Sequence, residues 1–106
     1  MAVWVKLTWE NNSIKCDGQR IEVSSDQQNW TEISAYWLFQ SGSTPVASDR
    51  TATIDQTEAQ TRTLYYRIGA SYADNTKWSD PIAVEVTGTD DIVVAPSNVQ
   101  GETIVD

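Results

Sequence analysis

The chain has no histidine, which removes the commonest general base, nucleophile activator and transition-metal ligand together. What remains for chemistry is one thiol, fifteen carboxylates and a set of aromatic rings. Cys16, with no histidine to activate it, reads as a packed or loop thiol. Asp26 and Glu32 are of the types a glycosidase pairs, but no cleft is implied around them. Asp90 and Asp91, with Thr87 and Thr89, offer the oxygens Ca²⁺ takes, yet adjacent carboxylates at a strand exit read as solvated. No catalytic group, metal or cofactor is therefore expected. The aromatic residues carry more. Trp30 and Trp78 fall at strand ends or on a polar parity, where an indole stacks on a sugar ring or anchors a protein; the plainer roles are a cap on the fold and a cover over a turn. Tyr36, Trp37, Leu38 and Phe39 form an uncharged apolar run that cannot all face inward, as at an interface centre. Trp4, pointing away from the core, is expected to line a subunit contact with Tyr65.

The elements that position these residues are strands. In Leu64–Val86, the residues Leu64, Tyr66, Ile68, Ala70 and Tyr72 share one parity, and in a second piece Ile82, Val84 and Val86 alternate with Ala83, Glu85 and Thr87. Side chains alternate across a strand, so each piece has one face to bury. Ala73–Lys77 reads as the polar loop between them, with Pro81 opening the second strand. Val3, Val5, Leu7 and Trp9 alternate with Trp4, Lys6 and Thr8 in a first strand. Asp17-Gly18 is a turn signal, Arg20–Val23 a second strand and Ser24–Asn29 a polar turn. Trp30–Gln40 is less regular, Ser41–Asp49 a loop, and Arg50–Gln56 a short strand with Ala52 and Ile54 inward. Glu58–Arg62 suits one helical turn. Trp9, Ile21, Val23, Ile68, Ala70, Ile82 and Val84 are expected to form one core.

With 106 residues and 40% of them hydrophobic, the chain has material for one domain with one core. Its net charge of −8 argues against a nucleic-acid backbone or an anionic membrane as partner. No apolar run approaches the ~18 residues of a membrane helix. Met1–Trp4 runs straight into a strand and reads as no leader, so Asn11-Asn12-Ser13 and Asn29-Trp30-Thr31 are taken as chance glycosylation patterns. One cysteine leaves no internal disulfide.

Short strands with turns between them and no long helix point to an all-β, antiparallel, immunoglobulin-like sandwich. The residues then resemble a fibronectin type III domain of the bacterial and phage kind, from Val3 to Thr87. Val5-Lys6-Leu7-Thr8-Trp9 is similar to that family's second strand, and Arg20–Asp26 followed by Trp30 to its third strand and turn. Tyr66-Arg67-Ile68-Gly69-Ala70 is similar to its sixth strand. Trp78-Ser79-Asp80 and Ile82–Val86 are similar to its last. Leu64 stands where the family has its corner tyrosine. The family's first strand is missing at the start, while Ala95–Gly101 looks like the opening of such a domain.

The expected organisation is a sandwich over 1–88 and a tail over 89–106. The tail's strand-like pieces, Ile92–Val94 and Val99–Val105, are expected to replace the missing strand, on their own domain or on a neighbour. Ile92, Val94, Val99 and Ile104 therefore join the expected interface. The resemblance implies a non-enzymatic structural or adhesive module of a phage virion, a tail or capsid accessory protein that contacts other virion proteins or copies of itself. The alternative is a carbohydrate-binding or spacer module of a secreted bacterial enzyme, stacking a glycan on Trp30 and Trp78.

Overall fold

A computed structural model describes residues 2–10, 12–14, 16, 18–37 and 50–106, with side chains at all of these but 34–37 and 50. Seven strands follow in order: β1 Trp4–Trp9, β2 Gly18–Ser24, β3 Thr31–Trp37, β4 Arg50–Asp55, β5 Arg62–Tyr72, β6 Asn75–Trp78 and β7 Ile82–Val86. Every pairing is antiparallel. The protein is all-β, and one short 3₁₀ turn, Thr89–Asp91, is the only helix among the described residues.

The strands form two sheets. β1 and β4 make a two-stranded sheet, and the five-stranded one runs β3-β2-β5-β6 with β7 also on β5. The alternation of β1 decides its facing, because Val5 and Leu7 are buried while Trp4, Lys6 and Thr8 are exposed. Val5, Leu7 and Ala52 from the small sheet meet Ile21, Leu64, Tyr66 and Val86 from the large one in a single core. Burying each larger aliphatic side chain there stabilises the fold by ~1.5–3 kcal/mol. Trp9, Val23, Ile54, Ile68 and Val84 pack against this core partly buried.

Four expectations need correcting. Gly18, assigned to a turn, already opens β2, opposite Ser71. Glu58–Arg62 forms no helical turn; it is an irregular connection that bends at Ala59 and Gln60 and enters β5 at Arg62, with one Glu58–Arg62 ion pair at 3.9 Å. The polar loop Ala73–Lys77 shrinks to Ala73 and Asp74, whose φ values of 49° and 65° are those of a two-residue type I′ hairpin turn. The strand therefore resumes at Asn75. Ile82, expected in the core, is 52% exposed, because it lies at the end of β7 that the two-stranded sheet leaves uncovered.

Between β6 and β7 the strand carries an extra residue. Gly69 opposes Trp78 and Tyr66 opposes Ile82, so Arg67 and Ile68 on β5 face Ser79, Asp80 and Pro81. This is a β-bulge. Ser79 bridges it, its amide donating to Ile68 O (2.8 Å) and its hydroxyl accepting from Ile68 N–H (2.9 Å). Pro81, with no N–H to give, sits where none is needed.

The body extends slightly beyond the expected boundary at 88. Thr89 N–H donates to Glu58 O, Asp90 N–H to Ala59 O, and the Thr61 hydroxyl to Asp91 Oδ2 at 2.6 Å. Gly88 makes this docking feasible, since a Cβ there would lie 2.2 Å from the Gln60 carbonyl carbon.

Candidate functional site

The outward face of the five-stranded sheet carries an interleaved row of charges and indoles. Arg20 and Glu22 on β2, Arg67 on β5 and Trp78 on β6 all have the parity opposite to the buried Ile21 and Tyr66. A bulge between β2 and β3 sets Glu32 opposite Glu22. Two facing like charges repel, and each is answered by an arginine: Arg20 Nε meets Glu32 Oε1 at 2.5 Å, and Arg67 Nε meets Glu22 Oε1 at 2.8 Å. The Glu32 hydrogen bond raises the pKa of Arg20 above its ordinary value. The Arg67 guanidinium lies between two indoles, 4.3 Å from the Trp30 ring centre and 4.3 Å from that of Trp78. Arg20 stands 5.8 Å from the other end of the row at Trp78. Trp78 in turn lies over Gly69, where an added Cβ would come within 2.8 Å of the ring.

Trp30 and Trp78, the expected glycan stackers, are thus brought together by Arg67. Nothing in their local sequence connects the two indoles. The signal was present, since Arg20, Glu22, Arg67 and Trp78 lie on one face once the strands are paired.

The second feature is a cavity of about 360 Å³ between the end of β1 and the β5–β7 side of the large sheet. Leu7, Trp9, Ile68, Trp78 and Ile82 supply its apolar walls. The Trp9 indole Nε1 is buried and has no acceptor among the described residues. Beside the cavity, β1 pairs among the described residues with β4 alone, which leaves its other edge free there. The bond from Gln56 N–H to Val3 O (2.9 Å) fixes which main-chain groups turn toward β4. Antiparallel bonding alternates, so Val3, Val5, Leu7 and Trp9 point that way, while the N–H and C=O of Trp4, Lys6 and Thr8 point to the free edge.

The third feature is the tail. Beyond the 3₁₀ turn no residue to 106 is in a strand, and none pairs with β1 of its own chain. The expected replacement of a missing strand within the same domain is therefore not what the chain adopts; its alternation supplies strand propensity, but the chain runs away from the body. Ile92, Val93, Val94, Val99, Ile104 and Val105 are all exposed, Val105 to 86%. The molecule measures 80 × 34 × 23 Å. Fifteen residues in extended form reach ~50 Å, which accounts for the long axis.

Other expected sites are placed as follows. Trp4 is 59% exposed on the outward face of the small sheet. Tyr65 lies on the outward face of the large sheet, on the far side of the molecule, so the two share no surface. Tyr36 and Trp37 close β3 opposite Gln19 and Gly18; Leu38 and Phe39 lie outside the described residues. Asp26 organises its own turn. The backbone N–H of Asn29 (2.8 Å) and of Gln28 (2.9 Å), the Asn29 side-chain amide and the Ser24 hydroxyl all donate to it. These bonds, the one from Asn29 N–H foremost, hold its carboxyl well below the usual carboxylate range. Glu32 is tied to Arg20, and Asp91 to Thr61. Among the described residues no three metal-ligating side chains converge. Cys16 is fully buried, its thiol donating to Gly18 O at 2.9 Å. Comparison with protein-family models, with curated proteins and with solved structures finds no match to this chain.

Proposed function

We propose that this chain is a fibronectin type III-like module, with β1 in the place of the family's second strand, and that it serves as a structural or adhesive component of a phage virion through protein contacts. The observation that carries the reading is the tail. It holds six large apolar side chains in solvent, clear of the body, and exposed apolar surface of this kind serves association. The strand order supports the family assignment: β1–β4 faces β3-β2-β5 with β6 and β7, an arrangement the family shares once its first strand is removed. The acidic balance fits protein partners better than nucleic acid or an anionic membrane. The carbohydrate-binding alternative loses ground because Arg67 occupies an indole face of both Trp30 and Trp78.

The test is immunogold labelling of particles produced from the genome that encodes the chain, together with a glycan array. Labelled particles and a blank array are expected. Particles free of label, or an array signal lost on Trp78→Ala, would overturn the reading.

A further inference from the structure

We propose that the free edge of β1 is an acceptor for residues Val99–Val105 of a second copy of this chain, added as an antiparallel strand with Glu102 opposite Lys6. The inference deepens the reading of a protein-contact module and rests on it.

Three exposures leave apolar surface that nothing in the described chain covers. Trp4 is 59%, Ile82 52% and Ile104 79% exposed, each a large apolar side chain in water. The acceptor side is built from main chain and cavity together. The N–H and C=O groups of Trp4, Lys6 and Thr8 face outward along the edge, and unpaired edges of this kind recruit strands. Next to them lies the cavity walled by Leu7, Trp9 and Ile82, where a covering strand is lacking. An added strand also brings carbonyl groups beside the Trp9 N–H, which lacks an acceptor among the described residues.

The donor is chosen by its pattern. In Val99-Gln100-Gly101-Glu102-Thr103-Ile104-Val105, one parity holds Val99, Gly101, Thr103 and Val105 and no charge. That parity suits the core side. The other presents Gln100, Glu102 and Ile104 outward, on the same face as Trp4, Lys6 and Thr8. Placing Glu102 opposite Lys6 fixes the remaining pairs of an antiparallel ladder. Ile104 then covers Trp4, Gln100 meets Thr8, and Gly101 lies beside Leu7, flanked on the same face by Val99 opposite Trp9 and Thr103 opposite Val5. A glycine on the buried side of a strand marks close approach to a neighbour. Gly101 has nothing within 4 Å of where its Cβ would be in its own chain, so that neighbour belongs to another copy. Strand addition of this kind draws affinity from main-chain bonds and specificity from alternate side chains.

The experiment is sedimentation of the full chain over a wide concentration range, with amide exchange read on the same samples. The expected result is a mass that rises above the monomer, with the amides of Trp4, Lys6 and Thr8 slowed in the assembly. Val99→Asp with Val105→Asp, both at exposed positions, should give a folded monomer with those amides fast. Lys6→Glu and Glu102→Lys, also at exposed positions, should each weaken assembly several-fold, and the two together should restore it. A full chain that stays monomeric overturns the proposal, whether its edge amides are fast or are slowed by its own tail. So does a tail variant that assembles as the full chain does, or a charge exchange that restores nothing. A monomeric chain that still labels virions would defeat this pairing and leave the functional reading standing.

Discussion

Arg67 holds the outward face together, and its contribution separates into parts that substitution can read. Its guanidinium stacks between Trp30 and Trp78 and pairs with Glu22, with the arginine side chain 25% and the glutamate 13% exposed. Arg67→Ala should cost about 2–3 kcal/mol in urea unfolding, because two cation–π contacts go and a covered carboxylate loses its partner. Arg67→Lys keeps the charge but not the planar stack, and about 1 kcal/mol should be lost; a lysine variant as stable as the parent would show that the stack contributes nothing. Tyr66 gives a second reading at this scale. Its hydroxyl donates to Gln56 Oε1 at 2.9 Å, and burial, aided by the charge of Glu58, pushes its pKa up from 10.0 to about 12. A pKa raised by folding contributes stability that is complete below the unfolded value and is lost as pH rises through the folded one. The melting temperature should therefore fall more steeply between pH 10 and about 12 in the parent than in Tyr66→Phe. Equal slopes would place the alkaline loss elsewhere. Of these contacts the sequence shows the parity of Arg67 and Tyr66 but not their partners, Glu22 and Gln56, which lie 45 and 10 residues away.

At the scale of elements, β1 and β4 are readable because each alternates cleanly, and β2 and β5 because their middle stretches do, with Ile21, Leu64 and Tyr66 on the buried face. The hairpin beyond β5 is not. Trp78 and Ile82 share sequence parity, yet Trp78 is on the outward face and Ile82 on the inward one, and only the extra residue among Ser79–Pro81 permits both. Alternation by itself cannot show a bulge, so the strand at β6 is taken for loop. The bulge is open to test by deletion. Deleting Asp80 leaves Ser79 and Pro81 facing Ile68 and Arg67 one to one, with Trp78 still outward and Ile82 still inward. The variant should fold, with a small loss of stability measured by thermal melting. Deleting Ser79 and Asp80 together should turn Ile82, Val84 and Val86 outward and abolish the cooperative transition. A two-residue deletion as stable as the single one would sink the bulge argument. The tail is the other element whose place local pattern leaves open. Val99–Val105 alternates as a strand does, but a strand needs a partner, and whether the partner is near or in another molecule is not written in local pattern.

At the scale of the whole molecule, the radius of gyration is 20.5 Å, against ~13 Å for a compact chain of about 100 residues. The excess is the tail, which leaves the body after Asp91. A chain ended at Asp91 should keep the melting temperature of the dilute parent, since residues 92–106 are exposed throughout. Ending it at Gly88 should lower that temperature, because the bonds of Thr89, Asp90 and Asp91 to residues 58–61 go with it. The positions of edge and tail have one more consequence. The two are different surfaces, so contact between copies joins head to tail and has a direction. Each assembly that does not close on itself then ends in one unused edge and one unused tail, and the two ends grow by different chemistry. A copy ended at Asp91 can receive a strand but cannot pass one on, so it acts as a stopper. Small amounts mixed with the full chain should shorten the assemblies in proportion to its share, whereas the Lys6→Glu chain should slow growth from the opposite end.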